Sequence, residues 1–315
     1  MADNPPPPLR WMFDKVERRH EFWRYWVRDP LVGVINFAIH YGVRLLPIDV
    51  ASAIGARLGA FAKYRYPQSD ARARKLWITV RPNEADKVDA AVNTLWRNVG
   101  RTMAEFSVLD RLWAAGRIEV VGREYLDAGH QAGPMIGLGV HLGNWETIGV
   151  AMLSIGFKGG SIYEPPTNRF DHLLASRARS RLPGDAILAR PNAAAEAFIR
   201  LTREKQQIVL YADELARGRV WAPAFGRPLR RNGNIGNAVR LARLANAQIF
   251  PLYSVRINER AQFRVMVLPP VKLIKTADRE ADLMANIAII DALFEPIIRD
   301  HLDQWFFGLD FDFAN

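Results

Sequence analysis

His141 and Glu146 stand five residues apart in the stretch PMIGLGVHLGNWETIGV, residues 134–150. The run 135–140 is short, apolar and flanked by proline and glycine, which predicts a buried strand with His141 at its carboxyl end. Asn144 precedes Trp145-Glu146-Thr147-Ile148 and suits a helix N-cap, because its side-chain oxygen can accept from a first-turn amide. On one continuous helix the histidine and glutamate would point about 140° apart. A strand–turn–helix corner reverses the chain between them and lets the carboxylate turn back to the imidazole. A histidine that gives one ring N–H to a carboxylate keeps its other nitrogen as a base and is stabilised when it takes a proton. Such a dyad has no nucleophile of its own, so it fits a substrate hydroxyl or amine attacking an activated acyl group. The structural alternative is a strand-capping histidine and a glutamate that only complements the helix dipole. Ligands of α/β sheets gather at the carboxyl ends of strands, which favours chemistry at this position.

The elements needed to hold that corner are readable from periodicity. Strands are predicted at 118–121, 207–212, 248–256 and 262–268, alternating with helices at 170–181 and 193–205. Between residues 84 and 115, Val88, Ala91, Val92, Leu95, Val99, Met103 and Phe106 recur at helical spacing and read as core packing. A last helical pattern covers 280–300. The expected class is α/β: a mixed, largely buried sheet flanked by helices, with an amino-terminal helical segment associated with a membrane. Asp213 follows the apolar run IVLYA at another strand end, where it serves either a substrate or a turn.

The chain has 315 residues, 49% of them hydrophobic, enough for one large domain. Its net charge of +10 favours an anionic partner: an acidic membrane surface, an acidic carrier protein or nucleic acid. No zinc-finger spacing or RNA-binding signature is present, so nucleic acid is not expected. Zero cysteines exclude disulfides and a cysteine acyl-enzyme. No G-x-S-x-G elbow, P-loop or H-E-x-x-H motif occurs, and six scattered histidines give no metal site.

The amino terminus, MADNPPPPLR, is proline-rich, lacks the apolar core of a signal peptide and reads as disordered. In residues 11–29, Trp11, Phe13, Phe22, Trp23, Tyr25 and Trp26 alternate with Lys15, Arg18, Arg19, Arg24 and Arg28. That mixture suits a lipid headgroup layer or an amphipathic helix packed on the protein itself. The stretch 31–43 is mostly apolar but spans only about 20 Å as helix, short of a ~30 Å hydrocarbon core. It either lies in the interface, crosses with Arg44 snorkelling, or is buried in the domain.

HLGNWE matches the H-x4-D/E motif of glycerolipid acyltransferases, and its surroundings resemble the bacterial lipid A secondary (lauroyl/myristoyl) acyltransferase family. The resemblance runs from about residue 30 almost to the end. It is carried in order by IEVVGREYLDAG, HLGNWE, YEPPTNRFDHLLASRARSRL, VLYADELARGRVWAPAFGRP and LARLANAQIFPLYSVR. Departures stand at Glu164 and Arg169, where the family commonly has arginine and proline. Arg230-Arg231-Asn232 replaces small hydroxyl residues, and the tail QWFFGLDFDFAN is acidic where the family tends to be basic.

The resemblance implies an acyltransferase on the cytoplasmic face of the bacterial inner membrane. It implies a division into a disordered and interfacial segment at 1–29, a membrane-anchoring helical segment at 30–66 and a catalytic domain at 67–315. It further implies an acyl carrier protein as donor, with acyl-CoA as the other option, a membrane lipid as acceptor, and no metal or organic cofactor. His141 is expected as base and Glu146 as its orienting partner. Asn144, Asn168, Arg177, Arg179, Arg190 and Asp213 are expected around the substrate, the arginines matching phosphate oxygens in pairs or else forming a solvated helix face. A lipid A precursor is the leading acceptor; a lysophospholipid, an ornithine lipid and a glycolipid remain alternatives within the enzymes. A non-catalytic lipid-binding protein is the alternative outside them.

Overall fold

Nine short segments, most of them with apolar centres, become strands in the computed structural model, which describes residues 6–163, 166–179, 185–188 and 193–313. They are β1 (Ile118–Val121), β2 (Met135–Gly139), β3 (Gly159–Tyr163), β4 (Asp185–Leu188), β5 (Gln207–Tyr211), β6 (Leu215–Ala216), β7 (Arg219–Val220), β8 (Gln248–Arg256) and β9 (Phe263–Val267). Seven form one sheet in the order β1-β9-β8-β2-β5-β3-β4, while β6 and β7 make a separate hairpin. All neighbours in the large sheet run parallel except β8 and β9. The carboxyl ends of β2, β3, β5 and β8 therefore share one edge, the edge where His141 emerges. In the middle of the sheet Ile136 lies between Ile208 and Ile249. Strands covered on both faces need such uninterrupted apolar side chains.

Twelve α-helices surround the sheet among the described residues. They are α1 (Val16–Trp23), α2 (Asp29–Arg44), α3 (Ile48–Arg65), α4 (Pro67–Val80), α5 (Val88–Glu105), α6 (Leu109–Ala114), α7 (Arg123–Ala132), α8 (Glu146–Ser154), α9 (Arg169–Arg179), α10 (Ala193–Thr202), α11 (Asn234–Ala245) and α12 (Arg279–Asp300). On one face Ile136, Leu138 and Ile208 pack with α10, α11 and α12 through Ala197, Val239, Ile290 and Phe294. On the other, Met135, Phe250 and Leu252 meet Leu112, Leu126 and Ile148 from α6, α7 and α8. Helices α3 and α5 approach backbone to backbone, because a methyl group on Gly55, Gly59 or Gly100 would strike the main chain of the facing helix.

The predicted strands at 118–121 and 248–256 keep those bounds, and those at 135–140 and 207–212 end one residue sooner. The final helix starts at Arg279 because the Asp278 side chain accepts from the amides of Glu280 and Ala281. Residues 9–13 and 16–29, placed in sequence within a disordered and interfacial terminus, are helical, with Asp14 and Lys15 extended between them.

Helix α2 is built inside out. Gly33 abuts Phe170, Asn36 Nδ2 donates to Asp171 Oδ1 at 2.8 Å, and Arg44 forks the Asp110 carboxylate at 2.8 and 2.6 Å. His40 is buried, while Leu31, Val34, Ile35 and Ile39 point outward, 50–67% exposed. Among the described residues no helix is long and apolar enough to cross a membrane.

Candidate active site

At the end of β2 the chain turns over a buried carboxylate. Asp213, 1% exposed, accepts the His141 backbone N–H at 2.9 and 3.1 Å and His141 Nδ1 at 2.9 Å. Trp305 Nε1 donates to its other oxygen at 2.9 Å. A carboxylate so placed accepts only, so Nδ1 carries the hydrogen and Nε2 is left with its lone pair. The ring is boxed by Tyr211, Phe307 and Trp145, with centroids 4.4, 4.8 and 5.2 Å away, and the side chain keeps 21% of its surface open.

The turn beyond His141 is fixed from below. Phe306 N donates to His141 O, and Gly143 N to Gln304 O, both at 3.0 Å. Gly143 has φ +59, and a Cβ there would meet Ser254 O at 2.6 Å, so both conformation and space require glycine. Asn144 is wholly buried and donates from Nδ2 to Glu105 Oε2 at 3.0 Å. Glu105 also accepts both terminal nitrogens of Arg256, at 2.8 and 2.7 Å, and the Ser52 hydroxyl at 2.6 Å. Arg101 NH1 donates to Ser52 Oγ at 3.0 Å. Burial, reinforced by the nearby Arg256 charge, holds the Arg101 guanidinium below its ordinary pKa. A buried ion pair of this quality contributes little net stability, but losing one member costs several kcal/mol.

Beside the corner a cavity of about 940 Å³, counted with its open mouth, runs along the sheet under α8. Glu146 and Tyr211 line its end at the carboxyl edge, and Leu126, Phe157 and Gln207 its opposite end. Glycines keep it open: a Cβ on Gly137 would meet Leu252 Cδ1 at 2.7 Å, while Gly149 on α8 faces empty space. Such a slot admits a flexible apolar chain.

The structure redistributes several expected roles. The carboxylate on His141 Nδ1 is Asp213, not Glu146; Asp213, expected at the substrate, has its oxygens turned to His141 and Trp305. Glu146 opens α8 and faces the cavity. Asn144 does not cap α8 with its side chain: its Nδ2 is turned to the buried Glu105 carboxylate, and its Oδ1 reaches no amide of the first turn. Nor does it meet a substrate directly, being 0% exposed.

Asn168 caps α9, accepting Phe170 N at 2.9 Å, and donates to Asp29 O at 3.3 Å, so its polar atoms join α9 to the amino-terminal helix. Arg177 lies over Phe37 of α2, 5.7 Å from its centroid, and is taken up in the same contact. Arg179 closes α9; Arg190 and Glu164 lie outside the described residues. Among the described residues no cluster of three or more His, Asp or Glu is placed to hold a metal.

Sequence reasoning missed Glu105, Arg256, Tyr211 and Trp305. A signal existed for Glu105: it extends the buried spacing Ala91, Leu95, Asn98, Thr102 along α5, and a charge on a core stripe demands a partner.

The family model for bacterial lipid A biosynthesis acyltransferases matches residues 17–308. No curated protein matches the chain. Among solved structures, the 1-acyl-sn-glycerophosphate (LPA) acyltransferase PlsC from Thermotoga maritima is similar at 11% identity and a TM-score of 0.36, over 71% of this chain and 97% of that one.

Proposed function

The chain belongs to the bacterial lipid A biosynthesis acyltransferase family, and from that premise we propose how this acyltransferase works and on what. It moves a fatty acyl group from a carrier thioester to a hydroxyl of a membrane lipid, a lipid A precursor. The observation that supports this most is the pairing of His141 Nδ1 with buried Asp213 beside a slot of apolar walls.

The acceptor hydroxyl gives its proton to His141 Nε2 as its oxygen attacks the thioester carbonyl. The tetrahedral intermediate then collapses, the C–S bond breaks, and the thiolate takes the proton from the imidazolium. Asp213 holds the ring in the tautomer that frees Nε2 and stabilises the charged form. Glu146, at the cavity end nearest the edge, adds a second negative charge on the side the acceptor enters. The acyl chain lies in the slot, its carbonyl toward Glu146 and Tyr211. No metal or organic cofactor takes part.

Acyl carrier protein is the donor, with acyl-CoA as the alternative, and the net charge of +10 favours an acidic carrier and an anionic membrane. The outward aliphatic face of α2 supports attachment to the cytoplasmic leaflet of the inner membrane without requiring a crossing. The segment 30–66 thus acts as anchor and 67–315 as catalytic body.

Mass spectrometry of lipid extracts, lipid A included, from cells expressing the chain or its His141→Ala variant tests this. A lipid that gains one acyl chain only with the intact histidine supports the reading and identifies the acceptor, whether lipid A precursor, lysophospholipid, ornithine lipid or glycolipid. Identical lipids from both strains, with both proteins present in membranes, would count against it.

A further inference from the structure

Immediately after Asp213 the chain forms a hairpin that presents arginines. β6 and β7 pair antiparallel, and the tip residues Arg217 and Gly218 both have positive φ, 54 and 72, the signature of a type I′ turn. Trp221 is pinned against this hairpin: its backbone N–H donates to Glu214 O and its indole Nε1 to Ala216 O, each at 3.1 Å. Two guanidinium groups lie on the indole, Arg219 at 4.3 Å and Arg230 at 4.8 Å from the ring centroid. Arg230 is tied to Glu214, whose second oxygen accepts Asn234 N at 3.1 Å.

Among the described residues the donors of Arg217 and Arg219 meet no acceptor. Arg219 Nε is buried without an acceptor, and neither Arg217 nor Arg219 makes an ion pair among the described residues. Arg217 is exposed at the tip. Arg231 and Arg240, by contrast, are engaged with Glu280 and Asn232. A guanidinium held over an indole is fixed in place while its terminal N–H groups remain to meet the oxygens of a phosphoryl group. Two unneutralised cations beside a third favour an anion, and a phosphoryl group, as a singly charged diester or a more highly charged monoester, spreads its charge over oxygens that can meet several guanidinium donors. Glu214 adjoins the residue that holds His141, so the cluster borders the reaction edge of the sheet.

We propose that Arg219 and Arg230, which lie over Trp221, together with Arg217 at the hairpin tip, form a binding site for a phosphoryl group of a substrate. The assignment rests on the acyl-transfer reading, in which both reactants carry such a group: the donor on its phosphopantetheine arm, the acceptor on its anionic headgroup.

Calorimetric titration of the full chain in detergent with phosphopantetheine, pantetheine, glucosamine phosphate and glucosamine tests the site. One phosphorylated probe is expected to bind about tenfold or more tighter than its unphosphorylated counterpart, and Arg219→Gln to erase that preference. Arg217→Gly guards against misfolding as an explanation. Glycine accepts the positive φ, so its thermal midpoint should hold or rise while affinity for the same probe falls several-fold. Preference for phosphopantetheine assigns the site to the donor, and preference for glucosamine phosphate to the acceptor. Equal affinities within each pair, or a preference unchanged in both variants, would overturn the proposal. Binding is read without turnover. A chain that discriminates the phosphoryl group yet transfers no acyl chain would refute the proposed reaction and leave the site standing.

Discussion

Beneath the corner that carries His141, Glu105 and Arg256 are buried against each other with both terminal guanidinium nitrogens on the carboxylate, whereas along α2 the polar Asn36, His40 and Arg44 turn inward and the aliphatic side chains outward. In water each large aliphatic left outside forfeits roughly 1.5–3 kcal/mol of burial, so α2 is the wrong way round for an aqueous surface. It is the right way round where the outside medium is itself apolar, because there only the polar groups gain by facing protein. The corner follows the other rule. Charge enters a protein interior at tolerable cost when it is paired there, and the Glu105–Arg256 pair, with Ser52 and Asn144 on the same carboxylate, makes a rigid support for a reactive group. With the proposed membrane attachment one molecule would meet two solvents, one for each of these regions.

The largest expected effect tests the rigid side of this contrast. Asp213→Asn places an amide where a pure acceptor is needed for His141 N, Nδ1 and Trp305 Nε1. Acyl transfer should fall by about 10²-fold to 10⁴-fold as the ring loses its tautomer. Glu146→Gln, on the cavity wall, should cost less, and steady-state rates of the two variants decide the matter. Near-normal turnover in Asp213→Asn with a dead Glu146→Gln would return the orienting role to the glutamate.

Next comes the layer below. Glu105→Ala strands the Arg256 guanidinium in a site with 0% exposure at its partner and should lower stability by ~3–5 kcal/mol in urea unfolding. Adding Arg256→Met should recover much of that loss. If the single variant unfolds like the parent, the ion pair is not what holds Asn144 and the turn.

These two regions also differ in how far they could be read from sequence. The corner's strand, turn and helix followed from MIGLGVHLGNWE alone, since an apolar run, a glycine and a helix start are local signals. The partner on Nδ1 was not legible, because Asp213 comes 72 residues later and reaches His141 only through the parallel pairing of β2 and β5. Asp213 was singled out as a strand-end residue, but nothing local distinguishes a carboxylate facing substrate from one facing an imidazole. Asn168 and Arg177 were read as substrate ligands for the same reason. A polar residue on a helix shows its chemistry, not its neighbour, and the neighbour here is α2. The residues of α2 were legible as apolar; only the structure shows which of them face out.

A third test uses a buried carboxylate without the close cation that Glu105 enjoys. Asp291 accepts Ala224 N at 3.0 and 3.2 Å, yet burial pushes its pKa up from 3.8 to about 6. The folded state therefore holds the proton more tightly than the unfolded chain, and stability falls as pH rises from about 4 to about 6. The difference, 6 − 3.8 = 2.2 pH units, sets an upper bound of roughly 3 kcal/mol. Asp291→Asn, which keeps an acceptor for the amide, should stabilise the protein at neutral pH by about 1–3 kcal/mol and flatten that slope. Urea midpoints across this range would show a parallel slope in parent and variant if the carboxyl were not the cause.

The smallest change in stability is expected on the outer face of α2, and there it carries the most information. Val34→Asp with Ile39→Asp places two charges on the exposed stripe and should shift unfolding by no more than ~0.5 kcal/mol, because neither side chain packs inward. Sedimentation with vesicles rich in anionic lipid should nonetheless lose most of the bound protein, since charge is expelled from the acyl boundary. Asn36→Leu is the converse: it deletes the hydrogen bond to Asp171, loosens α2 from α9 and adds nothing to the outer stripe. That variant should cost about 1 kcal/mol in stability and keep its vesicle binding. Were the aspartates instead to lower the unfolding midpoint and leave vesicle binding intact, the stripe would be packed against protein, and α2 would no longer differ in kind from the corner around His141.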